Sequence, residues 1–69
     1  MIRPSDARWT IEMFAPTNQG GHLLLHTWHR GDASKDIEVQ VCRTRQQRGE
    51  LGRVVVHDHE RGESAEVIP

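Results

Sequence analysis

The 69-residue chain has no tyrosine, one phenylalanine, one lysine and one cysteine, Cys42. A single cysteine excludes an internal disulfide, one of the usual staples of very small domains. A lone thiol also suits a reducing compartment, so the cytoplasm is the expected location. Long apolar runs are missing too. None exceeds three residues, as at Leu23–Leu25 and Val54–Val56, far below the ~20 residues a membrane helix needs. The opening Met1–Asp6 lacks the apolar stretch of a signal peptide. No membrane partner is therefore expected.

Catalytic signatures are equally scarce. There is no G-x-S-x-G, no phosphate-binding P-loop and no dinucleotide-binding G-x-G-x-x-G. His57-Asp58-His59 resembles an orienting pair, but neighbours on a strand point to opposite faces, so Asp58 would not hold His57. Cys42 as a nucleophile would need a base and a positive environment. A chain of this size has little room for a deep pocket. The expectation is a protein that is not an enzyme, and no family motif set is present.

What the chain does have is strand patterning in a single domain of residues 1–69, with 1–7 and 60–69 read as tails. Asp36–Arg43 alternates polar and apolar residues, with Ile37, Val39 and Val41 on one side, which predicts a half-buried strand. Arg53–His59 is a second β-branched run. Residues 44–52 carry Gly49 and Gly52 and no pattern, and read as the loop of a long hairpin. His22–His29, bounded by glycines, reads as a third strand. Trp9–Met13 alternates as a strand does, the competing reading being a short helix capped by Ser5 or Asp6. Ala65–Ile68 suits a short edge strand. The fold class expected is mostly β: a small antiparallel meander of four to five strands. Its apolar face is Trp9, Ile11, Met13, Leu23, Leu25, Thr27, Ile37, Val39, Val41, Val54 and Val56. With no helix to cover it, the sheet must curl into a barrel-like form or be covered by a second copy as a homodimer.

Three surface features bear on function. Five histidines are a surplus for 69 residues. His57 and His59 point one way on their strand, and His22 and His26 share a face, so zinc held by His26, His57 and His59 is a conceivable cofactor. Against it, no metal-binding motif is present, and His22 and His26 lie about 13 Å apart along a regular strand. The alternative is that these are surface histidines and that there is no cofactor.

Arg43, Arg45, Arg48 and Arg53 form a locally basic stretch in which Glu50 is the only acid, although the net charge of the chain is −1. Arginines so placed suit electrostatic docking on a protein or grip on phosphates. Trp28, on the outer face with Phe14 and Leu24, has the character of an interaction anchor. The leading expectation is a small protein-binding adaptor or inhibitor that occludes a partner surface, with Trp28 and these four arginines as contacts. The runner-up is a nucleic-acid-binding small barrel using the arginine hairpin, and the third is a histidine-based metal-binding domain.

Overall fold

The computed structural model describes residues 3–69, so the first two residues of the expected 1–7 tail lie outside it. After a short 3-10 turn at Pro4–Asp6 come strand β1 (Trp9–Pro16), strand β2 (His22–His29) and helix α1 (Asp32–Gln47). Strands β3 (Val54–Asp58) and β4 (Glu63–Glu66) follow. The four strands form one antiparallel sheet in the order β2-β1-β3-β4, and the sheet is not closed into a barrel. A small, mostly β protein with one antiparallel sheet is what the sequence implies. Two parts of that reading change.

The first is residues 36–43, which are helical. Ile37, Val39 and Val41 at every second position fit a strand, but the same stretch carries straight-chain helix formers through Glu38, Gln40, Arg43, Gln46 and Gln47. The expected hairpin loop at 44–52 is largely the last turn of this helix and its cap. Gly49, at φ +77°, donates its N–H to Gln46 O (3.0 Å), and Glu50 N–H reaches Arg45 O (2.9 Å). That pair of bonds is a Schellman ending, in which glycine takes the left-handed position. Trp9–Pro16 is a strand, not the competing short helix.

The second change is topological. Because α1 separates β2 from β3, the chain is not a simple meander: it crosses over β1, and β1 becomes a central strand paired on both sides. The apolar face is covered by the chain's own helix, so neither a curled barrel nor a second sheet is needed. Ile11, Met13, Cys42, Leu51, Val54 and Val67 form the core, with Ala15, Val39 and Val56 packed against it. Cys42, expected near a strand end, is fully enclosed in mid-helix, its thiol 3.4 Å from Met13 Sδ. Of the expected core, Leu23, Leu25, Ile37 and Val41 are exposed instead. Ile37 and Val41 are turned away because a helix advances ~100° per residue, so alternate residues do not share a face. Leu23 and Leu25 face the helix side but lie on the edge strand.

Candidate interaction face

Residues paired across an antiparallel ladder share a face. The strand registers therefore sort the sheet into a helix side and an open side. On the open side one row runs Trp28, Thr10, His57, Ser64, and the next runs His26, Glu12, Val55, Glu66. Leu24 and Phe14 make a third row, and Phe14, His22 and Arg53 border a common hollow. Trp28, Phe14, Glu12 and His57 are only half-buried.

The centre of this face is Glu12. Its Oε2 lies 3.3 Å from His26 Nε2 and its Oε1 lies 3.7 Å from His57 Nε2. One carboxylate on the middle strand thus bridges imidazoles from the strands on either side. His57 is further fixed by a 2.7 Å hydrogen bond between Nδ1 and Ser64 Oγ. His59 Nε2 and Thr10 Oγ1 are hydrogen-bonded at 2.6 Å. The rings of His26 and Trp28 stack at 6.0 Å with 13° between their planes. Thr10, Glu12, His26, His57 and Ser64 are each held by a neighbour, which leaves a pre-ordered surface with an aromatic end.

The zinc candidates do come to this one face, but not as a ligand cage. His26 and His57 sit on strands that are not neighbours and approach opposite oxygens of Glu12, while His59 is engaged by Thr10. Among the described residues no three His, Cys, Asp or Glu side chains are arranged to hold a metal ion.

The basic set separates. Arg43, Arg45 and Arg48 lie at the C-terminal end of α1, on the other side of the sheet from Trp28. Arg43 Nε donates to Ile68 O (3.3 Å), and Arg48 lies 3.9 Å from Glu50. Arg53 precedes β3 and lies 3.5 Å from Glu66, beside Phe14 and His22 on the open side. Of the five contacts expected, Trp28 and Arg53 share a face and the other three do not join them.

A second cluster was not foreseen. Arg8 reaches Asp32 (3.5 Å), Asp58 (3.6 Å) and Glu60 (3.3 Å) and lies over the Trp9 ring, which Lys35 also covers. Trp9 Nε1 donates to Asp32 Oδ1 (3.1 Å). This network ties the start of α1 to the start of β1 and the end of β3. Its members are scattered through the chain, and no local pattern in the sequence groups them. The Cys42 thiol is pushed up to about 11, first by burial and then by the Glu38 carboxylate beside it. It is therefore a protonated packing group at neutral pH and a poor nucleophile.

Comparison of the chain with protein-family models, with curated proteins and with solved structures finds no match. Among the described residues no helix is long and apolar enough to cross a membrane.

Proposed function

We propose that this is a non-enzymatic binding protein that docks on another protein through the open side of its sheet, as an adaptor or as an inhibitor that occludes the partner's surface. The observation that carries this reading is the one-sided cover. The helix packs on one face of the sheet, and the other presents Trp28, Phe14 and Leu24 beside the pre-ordered His26–Glu12–His57 bridge. Half-buried aromatics next to fixed polar groups make binding anchors, since little side-chain entropy is lost on docking. The residues proposed for contact are Trp28 and Arg53. Arg43, Arg45 and Arg48 sit too far round the molecule to belong to the same patch.

Affinity capture at physiological salt tests the reading. A specific protein partner is expected, bound about tenfold or more weaker by Trp28→Ala and weaker by Arg53→Glu, with the circular dichroism of both variants unchanged. Capture indifferent to both substitutions would overturn it. Binding of a labelled oligonucleotide that falls steeply with salt, and with loss of Arg43, Arg45 and Arg48, would replace it by the nucleic-acid reading.

A further inference from the structure

The two edges of the sheet differ sharply. The β4 edge has four residues, two of them Glu63 and Glu66. Charged side chains on a short edge discourage pairing with another strand. The β2 edge has eight residues, His-Leu-Leu-Leu-His-Thr-Trp-His, with no proline, glycine, lysine, arginine or acid. Nothing in its sequence guards its free N–H and C=O groups.

Exposed apolar side chains gather at the same edge. Six large hydrophobic residues are exposed among those described: Leu23, Leu24, Leu25, Ile37, Val41 and Ile68. Leu23, Leu24 and Leu25 belong to β2 itself. Val41 lies on one flank of α1, while Ile37 is turned away from the sheet. The opposite flank faces β3 and β4, because Gln46 Nε2 donates to Gly52 O and Arg43 Nε to Ile68 O. Helical rotation of ~100° per residue then sets Glu38, Arg45 and Val41 on the β2 side. The helix packs across β1 and β2, close to this edge.

We infer that two copies of this chain pair through β2, edge to edge and antiparallel, joining their sheets into one of eight strands with both helices on the same side. A two-fold axis through the middle of β2, at His26, is the register that fits. It pairs residues 23–29 with their counterparts and keeps every side chain on its own face, as the two-residue repeat requires. Leu24 of one copy then meets Trp28 of the other on the open side, and Leu25 meets Thr27 on the helix side.

Charge favours a second copy as the occupant of this edge. Lys35 lies over Trp9 at the start of β1, and Cys42 lies against Met13 further along, so α1 runs with β1 and against β2. The two-fold axis therefore sets the two helices antiparallel. The first half of α1 carries Asp32, Asp36 and Glu38 against one Lys35, and its end carries Arg43, Arg45 and Arg48 with no acid. Asp32 and Arg43 are engaged elsewhere in the chain, so the flank that meets the partner presents Glu38 and Arg45, and Glu38 of each helix falls beside Arg45 of the other. Opposed potentials of this kind fix register.

Burial points the same way. Leu23, Leu24 and Leu25 are all exposed on one edge strand, an apolar cluster of the kind that marks an interaction site. Pairing the two β2 edges would cover these side chains together with the free backbone N–H and C=O groups of both strands. A 69-residue domain also gains more than most from added burial.

Analytical ultracentrifugation over a concentration series tests the pairing. The expected mass is twice 7.9 kDa, with no larger species, because a two-fold contact consumes both edges. Leu25→Lys is expected to give a monomer with an unchanged circular dichroism spectrum, its side chain being exposed at the edge. A second variant reads the register directly. Under mild oxidation His26→Cys should link two chains covalently at the axis, whereas Ser64→Cys on β4 should not, and enclosed Cys42 should take no part. A monomer at hundreds of micromolar overturns the inference. So does a dimer that Leu25→Lys leaves intact, or one that Ser64→Cys links and His26→Cys does not.

Discussion

Asp58 is the one charged side chain that the fold buries among the described residues. Burial alone would raise its pKa, but three donors outweigh it. The backbone N–H groups of Arg61 (3.3 Å) and Glu60 (3.0 Å) point at Oδ1, and the Arg8 guanidinium lies beside Oδ2. The net result is a carboxyl held below its ordinary value of 3.8. A group with a lowered folded pKa contributes stability above its unfolded pKa and loses it as pH falls through the folded value. The wild-type protein should therefore keep this contribution down to about pH 4 and lose it below. Asp58→Asn should be less stable than wild type at neutral pH, with the difference narrowing in acid. Urea unfolding at pH 7 and pH 3 measures both, and a gap that stayed constant would assign the effect to packing instead of charge. The same carboxylate fastens the turn between β3 and β4, where Gly62 takes φ +65°.

At the scale of the element, α1 is where sequence and structure part. Period-2 alternation across Ile37, Val39 and Val41 is a strand signal, yet the residues that bury the helix are Val39 and Cys42, three apart, with Gln46 beyond them. The helix shows only a narrow apolar face because it covers a small sheet, so its periodicity is faint. Gly49, read from the sequence as part of a hairpin loop, is the helix stop, and its left-handed backbone makes the element testable. A Cβ at Gly49 would meet nothing within 4 Å, so Gly49→Ala carries only the backbone penalty, about 1–2 kcal/mol. Chemical denaturation should show that loss, and no loss would mean that the helix ends some other way. The open face, by contrast, was largely legible. Strand parity alone puts His26, Trp28 and His57 on one side once β2 and β3 are strands. Glu12 as their bridge was not legible, since that depends on β1 lying between them, a fact of topology. The four arginines were grouped because they are close in sequence, and an intervening helix end undoes that grouping.

At the scale of the whole molecule, one helix on one side of four strands leaves a core with few members. Ile11, Val54 and Cys42 alone are fully enclosed among the described residues. Ile11 sits on the central strand, between Thr27 of β2 and Val56 of β3, so every layer of the fold depends on it. A domain this small holds only about 3–5 kcal/mol in its core. Removing one methylene there, as in Ile11→Val, costs about 1 kcal/mol. That is a large share of the total, and in a domain of this length it corresponds to a fall in Tm of about 4–8 °C. Thermal unfolding followed by circular dichroism should show that fall as one cooperative transition. A shift of under about 1 °C, within what a neutral surface change gives, would mean that stability resides outside this core. The burden would then pass to the β2 edge, and the midpoint of wild-type unfolding would have to climb with protein concentration, as it does wherever a second subunit supplies the missing burial.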